Sequence, residues 1–174
     1  MPLEGGVIMA ANHLSNLDPP LAGTFSPRPI SYMAKQELFD IPVFGPAIRQ
    51  LHAFPVKRGA ADRGAIKAAL QLLQEGKCLG LFPEGTRSKD GRIHKPEAGI
   101  ALIAAKAGVP VVPTAIIGTD QVFSRENLFP RLRIVYGKPM VFSGDVRDKE
   151  ALQAFSQEIM DQIGEMIKLN KKAN

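Results

Sequence analysis

Six short, almost purely apolar runs separated by longer segments with helical periodicity are the feature that most constrains this fold. Each run is bounded by glycine, proline or polar residues, which is typical of strands. Because the runs lack polar alternation, they suit a sheet that is covered on both faces. The predicted strands are Val7–Ala11, Ile30–Ala34, Ala53–Val56, Cys78–Phe82, Val111–Ile117 and Leu132–Tyr136.

Amphipathic helices are predicted between several of these strands. One begins after an Asp62 N-cap and stops at Gly76, and a second covers 96–106 and stops at Gly108. The last covers 148–168, with lysines that complement its C-terminal dipole. This order predicts an α/β fold with a largely parallel central sheet flanked by helices.

The length and the cysteine count limit the possible classes of protein. The chain has 174 residues, which predicts a single domain over 1–174 with a substantial core. Its one cysteine, Cys78, excludes an internal disulfide framework and suits a reducing compartment. The N-terminus lacks the pattern of a signal peptide, and every apolar stretch is shorter than the ~18 residues that span a bilayer. The sequence therefore predicts no leader and no transmembrane span, and leaves peripheral membrane contact open.

The basic charge is concentrated in one part of the chain. The net charge is +5, yet the 49–95 segment alone has ten basic and four acidic residues. A local excess of this kind indicates an anionic substrate, an anionic membrane surface or nucleic acid. The alternative is a solvated face that only keeps the protein soluble.

His13 and Asp18 follow the first predicted strand directly and form a candidate general-base pair. Imidazole suits proton transfer near neutral pH, and a carboxylate on Nδ1 would leave Nε2 free to accept a proton. Residues five apart do not face each other in a straight helix, so the pair requires a turn between them. Pro19 favours such a turn. The alternative is that Asp18 only caps a helix.

A polar turn, Phe82–Ser88, follows the fourth strand and contains candidate binding residues. Gly85 permits close approach of the backbone to a ligand, and Arg87 offers a fork that matches phosphate oxygens. Glu84 and Thr86 are also predicted to be exposed in this turn. The alternative is a plain loop with a surface ion pair. Lys57 and Arg58, at the end of the third strand, would join Arg87 and Lys95 around one phosphate.

At these residues the sequence resembles the glycerolipid acyltransferases, and within them the bacterial 1-acyl-sn-glycerol-3-phosphate acyltransferases. Asn12–Pro19 resembles the His-x₄-Asp motif of that family, and Phe82–Ser88 resembles its third motif. Phe54–Arg58 is similar to the second motif and Val109–Thr114 to the fourth. The order and spacing agree, and the resemblance covers about residues 5–140.

The resemblance implies a reaction and a role for each motif residue. A fatty acyl group would pass from coenzyme A or acyl carrier protein to the 2-hydroxyl of 1-acyl-sn-glycerol-3-phosphate, giving phosphatidate. His13 would be the general base and Asp18 its orienting carboxylate, while Arg58, Glu84 and Arg87 would bind the acceptor. The resemblance implies no covalent acyl-enzyme, no metal and no cofactor.

Two departures from the family pattern concern membrane attachment and the second motif. Many relatives have apolar helices before the first strand, which are expected to be missing here. Pro55-Val56-Lys57 precedes Arg58 where the family usually has isoleucine and a polar residue, which leaves the role of Lys57 open. Exposed apolar residues within Leu38–Leu51, beside Arg49, would lie in the membrane interface.

The expected partners are a lysophospholipid, the acyl donor and a membrane surface, but no nucleic acid. The expected location is peripheral, on the cytoplasmic side of the cell membrane. Two alternatives stay open. The acceptor would be another lysophospholipid or a lyso-amino-acid lipid, or the protein would be an anionic-lipid binding module without turnover.

Overall fold

The structure, a computed structural model, describes residues 1–56, 63–122 and 131–171. Strands and helices alternate along most of these ranges, as the apolar runs predict. The strands are β1 (Val7–Ala11), β2 (Ile30–Lys35), β3 (Ala53–Val56), β4 (Cys78–Leu81), β5 (Val111–Ile117) and β6 (Arg133–Tyr136). The α-helices are α1 (Asp18–Thr24), α2 (Phe44–Gln50), α3 (Arg63–Gln74), α4 (Gly99–Ala107) and α5 (Lys149–Lys171), with 3₁₀ helices over Gln36–Asp40 and Thr119–Gln121.

The strands form one sheet in the order β3-β2-β4-β1-β5-β6. The first five are parallel, and β6 pairs antiparallel with β5 at one edge. Ala10 of β1 pairs with Leu81 of β4 on one side and with Pro113 of β5 on the other. The predicted α/β fold with a largely parallel sheet is therefore confirmed.

The uniformly apolar sequence of β1 reflects burial on both sides of the sheet. Ile8 and Ala10 point into a large core that includes residues of α3, α4 and α5. Val7, Met9 and Ala11 point into a second core on the opposite face. All five residues are fully buried, so a strand without polar alternation is what this position requires.

The observed element boundaries differ from the predicted ones in a few places. The fourth helix begins at Gly99, because the backbone N–H of Glu97 donates to the Pro83 carbonyl (2.9 Å) outside the helix. It ends, as predicted, at Gly108, which has a φ of 63°. Gly76, the predicted stop after α3, has a φ of 75°, whereas Asp62 lies outside the described residues.

The helix α2 and the 3₁₀ helix before it were not predicted, because their apolar residues form no stripe. Within the described ranges, no helix combines the length and the apolar character that crossing a bilayer requires.

Candidate active site

The loops that follow β4, β1 and β5 meet at the carboxyl-terminal ends of these strands. These three strands are adjacent and parallel, so their carboxyl ends lie side by side, where α/β sheets place their ligands. The loop after β1 contains His13, and the loop after β4 contains Glu84 and Arg87. The topology thus brings together two motifs that are about seventy residues apart in sequence.

His13 and Asp18 are in direct contact. The Nδ1 atom of His13 lies 2.8 Å from Oδ2 of Asp18. The same carboxylate oxygen accepts hydrogen bonds from the backbone N–H groups of Leu14 (2.6 Å) and Ser15 (2.8 Å). The Asp18 N–H donates in turn to the Ser15 carbonyl at 3.1 Å. The turn that the pair requires is therefore present, and Asp18 is the first residue of α1 rather than its N-cap.

This arrangement fixes the orientation of the imidazole. Asp18 is fully buried, and its Oδ2 already accepts from two backbone donors, so Nδ1 of His13 acts as the hydrogen-bond donor. Among the described residues Nε2 has no hydrogen-bond partner, and the His13 side chain retains 17% of its exposure. A neutral imidazole held in this way presents the Nε2 lone pair to a proton donor.

Residues of the turn after β4 contact both the ring and the backbone of His13. The Phe82 ring stacks on the imidazole with centroids 4.0 Å apart and planes at 20°. The Ser88 N–H donates to the His13 carbonyl (2.8 Å), and the His13 N–H donates to Oε1 of Glu84 (3.2 Å). Sequence reasoning selected this turn but missed these contacts, because no local pattern shows what the turn packs against.

Asn12 helps to position the loop that contains His13, a role that the sequence analysis did not identify. Its buried side chain donates to the Ile116 carbonyl (2.9 Å) and accepts from the Ile116 N–H (2.8 Å). The amide thus takes the place of a strand residue and extends the β1–β5 pairing up to His13. An amide residue placed directly after a buried apolar strand is the sequence signal that would have indicated it.

A cleft of about 630 Å³ opens beside this pair. It is lined by the loops after β1, β4 and β5, including Leu14–Leu17, Arg87–Gly91 and Thr119. The guanidinium of Arg87 and the ammonium of Lys89 have no ion-pair or hydrogen-bond partner among the described residues. The cleft therefore offers two cationic groups without partners in those ranges, which an anionic ligand requires. Its lining also includes the carboxylates of Asp90 and Asp120 and the residues that directly follow His13.

The other predicted binding residues are distributed differently, and the prediction that Glu84 is exposed in its turn is wrong, because the residue is buried. Thr86 and Lys95 are exposed, but neither belongs to the lining of the cleft. Gly85 has a φ of 68°, and a Cβ atom there would lie 2.7 Å from Oε1 of Glu97, so it is a turn position that needs glycine. Lys57 and Arg58 lie outside the described residues.

The backbone N–H groups of Gly85, Leu14 and Ser15 already have partners within the protein. The Gly85 N–H donates to the Phe82 carbonyl at 3.0 Å. The Leu14 and Ser15 N–H groups donate to Asp18.

Asp90 adds a fixed negative charge at the rim of the cleft. Hydrogen bonds from the Arg92 backbone N–H and then from the Ser88 hydroxyl lower the pKa of Asp90 to about 2. The ionised carboxylate also lies 2.9 Å from Nε2 of His94. Its oxygen therefore ties together three positions of the loop after β4.

The serine hydroxyl groups near the site and the Cys78 thiol are not arranged as nucleophiles. Burial raises the pKa of the Cys78 thiol to about 11, and Cys78 begins β4, at the opposite end of that strand from the site. The Ser15 hydroxyl accepts from the Leu17 N–H (3.2 Å), and the Ser88 hydroxyl donates to Asp90 (2.9 Å). Within the described ranges no serine hydroxyl contacts a histidine nitrogen, so the geometry suits a base acting on a substrate hydroxyl.

Comparisons with known proteins agree with this geometry. The model of the family described as "Acyltransferase" matches residues 1–117. The 1-acyl-sn-glycerol-3-phosphate acyltransferase of Bacillus subtilis (strain 168) is 32% identical over 171 residues, which cover 95% of this chain and 83% of that protein. The chloroplastic 1-acyl-sn-glycerol-3-phosphate acyltransferase LPAT1 of Arabidopsis thaliana is 32% identical over 139 residues, covering 76% of this chain and 39% of that protein.

A solved structure shows the same architecture. The crystal structure of the 1-acyl-sn-glycerophosphate (LPA) acyltransferase PlsC from Thermotoga maritima superposes with a TM-score of 0.74 at 29% identity. The match covers 95% of this chain and 68% of that one. The resemblance inferred from the motifs is thereby confirmed, and the chain belongs to the acyltransferase family.

Proposed function

We propose that this protein transfers a fatty acyl group from an acyl thioester to the 2-hydroxyl of 1-acyl-sn-glycerol-3-phosphate, giving phosphatidate. The observation that carries the proposal is the His13–Asp18 contact (2.8 Å) at the edge of a cleft with free cationic side chains. Several relatives bear the name of this activity, and two cationic side chains of the cleft, Arg87 and Lys89, are of the type that binds a phosphate monoester.

In the proposed mechanism Nε2 of His13 takes the proton of the acceptor 2-hydroxyl. The oxygen attacks the thioester carbonyl, a C–O bond forms, and the C–S bond then breaks. The leaving thiolate receives the proton from the imidazolium. Asp18 keeps the ring oriented through Nδ1 and stabilises the positive charge that develops on it.

The acceptor phosphate is assigned to the cationic side of the cleft. Arg87 and Lys89 line it without partners among the described residues, and a guanidinium can bind two phosphate oxygens at once. Lys57, Arg58 and Lys95 remain proposed phosphate ligands, and Gly85 and Thr86 remain proposed backbone neighbours of the acceptor.

Arg87→Ala is expected to raise the KM for lysophosphatidate by about 10- to 100-fold, since a hydrogen bond to a charged group contributes ~1.5–3 kcal/mol. The turnover number should change much less, because Arg87 does not touch the reacting oxygen in this mechanism. Steady-state kinetics at varied acceptor concentration measure both values. Arg147→Ala, which removes an exposed arginine paired with Asp145, is the matched control. An unchanged KM for Arg87→Ala would remove this residue from the phosphate site.

The acyl donor is proposed to be acyl-CoA or acyl carrier protein, without a metal or a further cofactor. Thiol release from each donor, with and without lysophosphatidate, tests this together with the choice of acceptor. Release that requires lysophosphatidate supports the proposal. Faster release with another lysophospholipid or a lyso-amino-acid lipid would change the acceptor, and no release with any of them would indicate a binding module.

Peripheral membrane contact is proposed for an apolar surface beside α2. This surface, the α2 patch, consists of Ile41, Val43, Phe44 and Leu51, all exposed. Ile41, Val43 and Phe44 follow the carboxyl end of β2, which is the neighbour of β4 in the sheet, whereas Leu51 lies two residues before β3 begins. Val43 has a φ of 68°, which is strained for a β-branched residue. Because the acceptor and the product both carry acyl chains, a bilayer is the partner that this surface suits.

Val43→Asp is expected to weaken binding to anionic phospholipid vesicles by about tenfold, because burial of a valine side chain contributes ~1.5 kcal/mol or more. Vesicle co-sedimentation measures the change. Val141→Asp is the matched control, since both valines are largely exposed, Val43 at 85% and Val141 at 66%. Val141 lies away from the α2 patch, because it follows Met140, which pairs with Val111 at the amino end of β5. Equal binding of the two variants would contradict the assignment of this surface.

A further inference from the structure

The Glu84 carboxylate bridges two separate segments of backbone. The residue is only 8% exposed, although it lies in a polar turn. Its Oε1 accepts from the His13 N–H (3.2 Å), and its Oε2 accepts from the His94 N–H (3.0 Å). Each oxygen therefore has a partner in a different loop, one after β1 and the other ten residues further along the chain.

The contacts of Glu84 show that it helps to hold His13 in position. The Ser88 N–H donates to the His13 carbonyl, the Phe82 ring stacks on the imidazole, and the Glu84 carboxylate accepts from the His13 N–H. These three contacts come from one turn and fix the residue from its backbone and from its ring. A base that must accept a proton in a defined direction depends on such support.

We propose that Glu84 is a positioning residue for His13 and not a ligand of the acyl acceptor. This inference rests on the proposed function, in which His13 is the base. It differs from the role that the family resemblance implies for Glu84, which is acceptor binding. The structure favours the new role because the carboxylate is buried and directed at backbone N–H groups, whereas Arg87 and Lys89 line the cleft.

The bridge requires two acceptor atoms at a fixed separation. A glutamine at this position has only one oxygen, so the backbone N–H of either His13 or His94 would face an NH₂ group and lose its partner. An aspartate keeps the charge but is one methylene shorter, so its carboxylate does not reach both loops. Both changes are therefore expected to weaken the bridge between the two loops while leaving Arg87 and Lys89 in the cleft.

The test combines kinetics with backbone amide hydrogen exchange on Glu84→Gln and Glu84→Asp. We expect the His13 and His94 amides both to exchange about fivefold or more faster in Glu84→Asp, and one of the two to do so in Glu84→Gln. The turnover number should fall by about 10- to 100-fold. The KM for lysophosphatidate should stay within about twofold of the wild-type value. Glu75→Gln, at an exposed position paired with Lys77, is the matched control and should match the wild type.

The outcomes separate this inference from the proposed function. A rise of about tenfold or more in the KM with turnover retained would show that Glu84 binds the acceptor and would overturn the inference. Unchanged amide exchange would show that the bridge does not hold the two loops. Absence of lysophosphatidate turnover in the wild type would overturn the proposed function, while amide exchange, which needs no substrate, would still test the bridge.

Discussion

Replacing His13 by asparagine is expected to lower the turnover number by about 10²–10⁴, the usual contribution of a positioned general base. The asparagine amide can occupy the place of Nδ1 and keep the hydrogen bond to Asp18, but it has no atom at the position of Nε2. The variant therefore removes the proton acceptor while retaining the local turn. Thiol release in the presence of lysophosphatidate measures the loss.

The matched control for this variant is His52→Asn. His52 is exposed and has a φ of 55°, a backbone conformation that asparagine tolerates well. It should keep the turnover of the wild type, and both variants should unfold at a similar temperature. Full activity of His13→Asn in a folded protein would mean that another group accepts the proton.

Asp18→Asn is expected to lower turnover by a similar factor, about 10²–10⁴, because a neutral amide does not stabilise the positive charge that develops on the His13 imidazole. The amide oxygen can still accept from Leu14 and Ser15 if it takes the position of Oδ2. Its NH₂ group would then lie where Oδ1 now lies, and that buried atom has no partner in the part of the chain that the structure describes.

Thiol release and thermal unfolding together test the Asp18 prediction. Asp145→Asn, at an exposed carboxylate paired with Arg147, is the matched control and should leave both quantities unchanged. If Asp18→Asn keeps wild-type turnover, Asp18 serves only to hold the turn, and the imidazole acts without a carboxylate partner.

The sheet was predictable because burial on both faces leaves a clear trace in the sequence. Val7–Ala11 is apolar throughout and is buried throughout, and the same correspondence holds for Val111–Ile117. The helix α2 (Phe44–Gln50) escaped prediction for the opposite reason. Its apolar residues include an exposed Phe44, so no amphipathic stripe marks it.

The His13–Asp18 contact was predictable because it is local. Five residues separate the pair, and Pro19 limits the turn between them. The bond between Glu84 and the His13 N–H spans seventy-one residues and ends on a backbone group, which carries no residue-specific signal. Contacts of this second kind depend on the order of strands in the sheet, and they became visible only in the structure.

The basic residues of the 49–95 segment do not all line the cleft. Arg87 and Lys89 line the cleft, as an anionic ligand requires. Lys77 instead pairs with Glu75 at an exposed position (2.6 Å) before β4, and so belongs to a solvated surface. Charge counted along the sequence indicated an anionic partner but not which cations meet it.

Single-turnover thiol release from acyl-CoA, by the wild type and by His13→Asn, with lysophosphatidate present or absent, tests the central claim most directly. If the His13–Asp18 pair activates a lipid hydroxyl, the wild type releases thiol only when the acceptor is present, and the variant releases almost none. A stoichiometric burst without acceptor, or equal release by the two proteins, would contradict it.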